Sequence, residues 1–312
     1  MFRPTTIRVI ASAALALLLL PTSAPAHAEA AGPDRCPAVA VVAARGSEQS
    51  DHLDPTVYGE GSPYISNGYE AENIRGFLQY SEQRHVDQHG TSLLADVPVL
   101  ALDVNHYPAA LPIPAIAEKD EELEAAEAAR RVGALLSATP AHVIVQDAVQ
   151  GLLRSLRTGT TSVIPAIDNY EARTGCAPDY ILIGYSQGAI VLTAQERELA
   201  SQGRLAGALY LGNPLLKPGE SNVVGSPHRG GGLLSSLPAD VLPTASESVP
   251  RLNYCVAGDF ACDLTDAAAT ESIGSQGGGH ADYFLDIPRT ADDAYVADTF
   301  ADWITGYTSP HD

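Results

Sequence analysis

Lysine is almost missing from this chain: Lys119 and Lys217 are the only two, and all lysines and arginines together number 18 against 38 aspartates and glutamates. The resulting formal charge of −20, with no basic cluster to interrupt it, excludes a nucleic-acid partner, because such a surface repels phosphates. No Cys-x-x-Cys pair occurs among the four cysteines, which argues against a structural metal site. Beyond the first twenty residues no run is long and apolar enough to cross a bilayer. The first stretch is itself too short to span. Arg3 and Arg8, the apolar run Val9 to Leu20 and the small-x-small site Ala26-His27-Ala28 read instead as a signal peptide over residues 1–28. The mature chain is therefore expected outside the cytoplasmic membrane, secreted, with attachment to the cell envelope left open.

In an oxidising compartment an even number of cysteines favours disulfides. Cys36, Cys176, Cys255 and Cys262 allow three pairings; the simplest joins Cys255 to Cys262 across a short loop and leaves Cys36 for Cys176. Residues 29–312 suit one α/β domain, with insertions near 48–68, 112–141 and 217–248.

Gly184-Tyr185-Ser186-Gln187-Gly188 lies between the apolar run Tyr180–Ile183 and a helical pattern beginning at Ala189. A strand that turns into a helix through Gly-x-Ser-x-Gly holds its serine in a strained bend with the hydroxyl above the sheet. Ser186 is thus the candidate nucleophile; as a mere helix N-cap it would not need both flanking glycines.

Around that elbow the chain reads as alternating strands and helices. Small-apolar runs at 38–44, 97–104, 179–183, 205–211 and 251–256 predict five strands, and 71–83, 118–137, 143–157, 163–173 and 291–304 predict helices. His85 and His89 fall in a polar connection, Thr158–Thr161 interrupts a helix, the acidic 118–137 helix presents a solvated face, and Trp303 packs on the sheet. The apolar loop 107–116, broken by three prolines, either lines a mouth or packs on the core. The fold class that follows is a three-layer α/β/α sandwich around a mostly parallel five-stranded sheet, with ligands at the carboxyl ends of the strands.

A serine hydroxyl needs a histidine to take its proton and a carboxylate to hold that histidine, in the chain order Ser, Asp/Glu, His. Of His228, His280 and His311, only His280 follows the last strand inside a glycine-rich loop that can bend back over the sheet edge. Asp259 lies directly after that strand, between Cys255 and Cys262; Asp263, Asp266 and Asp282 are the fallbacks. Stapling the Asp259 loop would fix the carboxylate's direction.

Taken together, Ala44-Arg45-Gly46-Ser47, the Ser186 pentapeptide, Cys255-x-x-x-Asp259-x-x-Cys262 and His280-Ala281-Asp282-Tyr283 resemble the cutinase family of serine esterases, in its secreted actinobacterial branch. The resemblance implies Ser186 as nucleophile, His280 as base and Asp259 as acid. It also implies an oxyanion hole from the N–H groups of Ser47 and Gln187, and the disulfides Cys36–Cys176 and Cys255–Cys262. It calls for no cofactor or metal. The expected activity is hydrolysis of carboxylic acyl esters. Its rival is a phospholipase or acyl thioesterase acting on envelope lipid, for which Leu111, Ile113, Ile116 and Leu233 would form a lipid-facing rim. A catalytically silent secreted binding protein would lack a triad member, and none is missing. The expected partner is an ester or lipid substrate, with peripheral contact to the envelope or a lipid surface open and no protein partner inferred.

Overall fold

Strand β1 (Val39–Ala44) consists of six small aliphatic residues, all buried, so both faces of the sheet must be covered where it runs. Successive side chains point to opposite faces. Val39, Val41 and Ala43 meet Ile74, Phe77 and Leu78 of α1 (Ala71–His89) and Val296, Phe300 and Ile304 of α5 (Ala291–Thr308). Ala40, Val42 and Ala44 meet Val163 and Ile167 of α3 (Ala141–Thr174) and Ala189, Val191 and Leu192 of α4 (Gln187–Ser201). The result is a three-layer α/β/α sandwich. The computed structural model describes residues 36–114, 116, 124–225, 230–238, 243, 245–246, 249–268, 278–285 and 289–308. Contacts divide the chain into Met1–Gly32 and Pro33–Asp312, and every described residue belongs to the second unit. The expected signal peptide, His228 and His311 lie outside the described residues.

Every strand pairing is parallel, in the order β2-β1-β3-β4-β6-β5, with β2 at Val99–Ala101, β3 at Asp179–Tyr185, β4 at Leu205–Leu211, β5 at Val223–Gly225 and β6 at Arg251–Cys255. Among the described residues the sheet has six strands rather than the five read from sequence. The extra strand, β5, has three residues inside a stretch rich in Gly, Ser and Pro, too short to show periodicity, and its pairing partner is β6. From β1 the chain runs outward to β2 and then returns to the other side of β1 as β3. That reversal places a crevice at the carboxyl ends of β1 and β3, where open parallel sheets bind ligands.

Two helical readings are corrected. Helix α1 continues to His89 and takes in both histidines of the expected connection; His85 is buried and its ring lies 4.4 Å from that of His89. Residues 141–174 form one unbroken helix, α3, through Thr158–Thr161 and Pro165. The threonines are accommodated because Thr160 and Thr161 hydroxyls donate to the carbonyls of Leu156 and Arg157, at 2.8 and 2.9 Å. Gly159 is needed there for close packing, since a Cβ would stand 2.9 Å from both Tyr107 and Val191. Of the helix expected over 118–137, the stretch Ala125–Ala138 is α2, residues 118–123 lie outside the described residues, and the exposed surface of α2 carries Val132 and Leu136 as well as the arginines. Trp303 does pack on the sheet: it lies against Gly207, whose missing side chain leaves room for the indole.

Candidate active site

Strand β3 ends at Tyr185 and α4 begins at Gln187, so Ser186 alone makes the turn, at φ 53° and ψ −115°. An L-residue held there is strained, and the surroundings hold it. The Ser186 N–H donates to the Leu211 carbonyl at 2.9 Å. A Cβ on Gly188 would lie 1.9 Å from the Ala44 oxygen, and one on Gly184 2.6 Å from Ala189 Cα. Both flanking positions are glycine because β1 and α4 approach them that closely.

Of the three downstream histidines, His280 is the described one, and it closes a short 3-10 turn (Gly278–His280). Its Nε2 lies 2.9 Å from Ser186 Oγ. Its Nδ1 lies 2.8 Å from Asp259 Oδ1, an ion-pair distance at an angle short of a straight hydrogen bond. The Asp259 side chain is fully buried while that of His280 is 18% exposed, so the pair is open to solvent on the imidazole side. Oδ1 of Asp259 also accepts the Ala261 N–H at 2.7 Å, and Oδ2 accepts the Tyr283 hydroxyl at 2.6 Å. Such an arrangement can move a proton from hydroxyl to imidazole and steady the imidazolium that forms. Asp263 and Asp282 do not make these contacts. Asp263 Oδ1 accepts the Gly230 N–H at 2.9 Å, and Asp282 is in the loop beyond His280.

Gly212 had no role in the sequence reading, yet the pair rests on it. It directly follows β4, the strand between Ser186's strand and the one that precedes Asp259, and has φ +57°. A Cβ there would be 2.7 Å from Asp259 Oδ2 and 2.9 Å from His280 Nδ1. The available signal was a glycine placed just past a buried strand, in Gly212-Asn213-Pro214.

On the other side, Ser47 and Gln187 come together: Gln187 Nε2 donates to Ser47 Oγ at 3.1 Å. Gln187 opens α4, so its N–H is among those a helix leaves without an internal acceptor. The N–H groups flanking that of Ser47 are taken, Gly46 by Gln49 Oε1 at 3.0 Å and Glu48 by the Ala109 carbonyl at 2.7 Å. That of Ser47 has no acceptor among the described residues. Ser155 of α3, buried and unflagged by any motif, holds the Gln187 side chain through a 2.6 Å bond to Oε1. Arg45, fully buried, anchors the same turn: its guanidinium donates to the carbonyls of Leu102 at 2.5 Å and Tyr107 at 2.6 Å.

Side-chain amides tie the two halves together. Gln49 Nε2 donates to Asn73 Oδ1 at 2.6 Å, and Asn73 Nδ2 donates to the carbonyls of Ala281 and Tyr283 at 2.8 and 3.0 Å. Tyr185, inside the pentapeptide, donates its hydroxyl to the His280 carbonyl. Burial, with the Asp259 charge next, raises the pKa of Tyr185 and of Tyr283, so both remain donors. Disulfides join Cys36 to Cys176 and Cys255 to Cys262; the second closes the loop that carries Asp259. Among the described residues no three His, Cys, Asp or Glu side chains converge as metal ligands.

No protein-family model matches the chain, and no curated protein matches it. Solved structures similar to it include a cutinase-like protein from Cryptococcus sp., at 16% identity over 89% of this chain and 98% of that one, with a TM-score of 0.47. Lysin B from mycobacteriophage D29 is similar at 16% identity over 88% and 91%, with a TM-score of 0.38. Trichoderma reesei cutinase in complex with a phosphonate inhibitor is similar at 15% identity over 89% and 80%, with a TM-score of 0.39.

Proposed function

We propose that the protein is a secreted serine ester hydrolase that works through an acyl-enzyme on Ser186. The observation that carries this reading is the 2.9 Å contact between the hydroxyl on the strained elbow and an imidazole whose other nitrogen lies 2.8 Å from a buried carboxylate. Ser186 Oγ attacks the ester carbonyl carbon as His280 Nε2 takes its proton, and the Asp259 charge stabilises the imidazolium. Negative charge then collects on the carbonyl oxygen, where the N–H groups of Ser47 and Gln187 receive it; one such donor lowers the barrier by about 3–4 kcal/mol. Collapse expels the alcohol, protonated by His280. Water, activated by the same nitrogen, releases the acid and restores the serine. The two disulfides support an oxidising compartment and hence the secreted location.

One observation favours a lipid-directed form of this activity. Val145, Val149 and Leu153 make an exposed stripe along α3, and Ile113 beside it is 61% exposed. This surface adjoins the Gln187 side through Ser155, and Pro112 packs on Gly151 of the same helix. A chain-length series of esters separates the two forms: a rise in kcat/KM with acyl length favours the lipid-directed one.

The direct test is Ser186→Ala. It is expected to abolish hydrolysis of short p-nitrophenyl esters and labelling by a fluorophosphonate, with the melting temperature nearly unchanged. Turnover that persists in this variant removes the nucleophile assignment, and an unlabelled, inactive native protein removes the enzyme.

A further inference from the structure

The fully buried Tyr283 bridges the acid of the proposed triad and the loop that carries the base. Its hydroxyl oxygen accepts the Val256 N–H at 3.1 Å, which leaves its proton aimed at Asp259 Oδ2, 2.6 Å away. Its carbonyl is held by Asn73 Nδ2 at 3.0 Å, and Asn73 itself is 1% exposed. The residue is thus held at its hydroxyl by the N–H that follows β6 and at its main-chain carbonyl by a side chain of α1.

We infer that Tyr283 is a positioning residue: it locks the Asp259 carboxylate against rotation and spreads its charge, and so sets how strongly His280 holds a proton. This deepens the esterase reading and rests on it for its kinetic arm. A carboxylate can turn about its terminal torsion, which is broad and nearly two-fold. With Ala261 N–H on Oδ1 and the phenol on Oδ2, each oxygen has a fixed donor, and Oδ1 stays 2.8 Å from the imidazole. The phenol cannot switch off in any ordinary buffer, because burial and the Asp259 charge hold its pKa well above the usual value. Around the acid–base pair, the other titratable groups are Tyr185 from β3, Tyr254 from β6 and Asp282 from the His280 loop.

Tyr283→Phe removes one oxygen and keeps the ring that packs against Tyr185, Tyr254 and His280. On a short soluble ester, kcat is expected to fall about ten- to a hundred-fold with KM unchanged, the scale of a small misplacement of the base. Without the phenol the charge concentrates toward the imidazole, which favours the imidazolium. The acid limb of kcat/KM should therefore move to higher pH. A residue that only fills space would lower the melting temperature and leave kcat of the folded fraction and the limb where they were; that result overturns the proposal. In an Asp259→Asn background the same change should cost little more, and full additivity would also overturn it. The low-field proton resonance of His280 gives a readout without turnover. It should shift in Tyr283→Phe, and no shift counts against the positioning role even if the native protein hydrolyses no ester.

Discussion

Gly212→Ala tests the geometry of the site with a single added methyl group. Gly212 sits at φ +57°, a region that costs an ordinary residue roughly 1–2 kcal/mol. For a chain of this size that is a drop in melting temperature of about 2–4 °C. The larger effect is steric. The new Cβ would fall 2.7 Å from Asp259 Oδ2 and 2.9 Å from His280 Cε1 and Nδ1, against about 3.5–4.0 Å for comfortable contact. The backbone cannot simply retreat, because the Gly212 N–H is bonded to the Tyr254 carbonyl at 2.9 Å. Asp259 and His280 must move instead, by something approaching an ångström, and displacement on that scale costs on the order of a hundred-fold in rate. The assay is kcat/KM on p-nitrophenyl butyrate beside a melting curve. Gly203→Ala is the control: Gly203 also has positive φ, +67°, but nothing lies within 4 Å of its would-be Cβ. It should lose stability and keep its activity. If Gly212→Ala hydrolyses the ester as fast as Gly203→Ala, the acid–base pair does not rest on this glycine and the argument fails.

Removing Cys36–Cys176 as a serine pair should cost about 2–5 kcal/mol, because it closes a loop spanning 140 residues in the unfolded chain; denaturant midpoints measure it. Alkaline stability follows from the buried phenols. Burial raises the pKa of Tyr107, Tyr185, Tyr210, Tyr254 and Tyr283, so the folded state keeps protons that the unfolded state loses near pH 10. Their contribution is complete below that pH and falls as pH rises toward the folded values, by about 1.4 kcal/mol per tyrosine per pH unit. Unfolding free energy should therefore be level up to about pH 10 and drop steeply beyond. A flat profile to pH 11.5 would show that these phenols are not buried as described.

Much of this molecule was legible along the chain because the signals are local. Six consecutive buried small residues at Val39–Ala44 mark a strand covered on both faces, and Gly184–Gly188 marks a strand-to-helix elbow whatever surrounds it. Local signals also explain the misreadings. Thr158–Thr161 has the composition of a break, yet the hydroxyls bond back into the helix and Gly159 is chosen for what lies across from it. Strand β5 exists because β6 offers it an edge, a fact no three-residue window contains.

Serine, aspartate and histidine could be nominated from their order and their neighbours, since the chemistry demands those types after those strands. That the histidine stands within 2.9 Å of both the serine and the aspartate depends on the strand order, which sets β4 between the serine's strand and the aspartate's and puts Gly212 beneath both partners of the acid–base pair. Sequence by itself determined the elements and the chemical vocabulary, because propensity, periodicity and turn chemistry act over a few residues. Tertiary structure decided the supporting parts, Gly212, Tyr283, Asn73 and Ser155, because each matters only through an atom contributed by a distant segment.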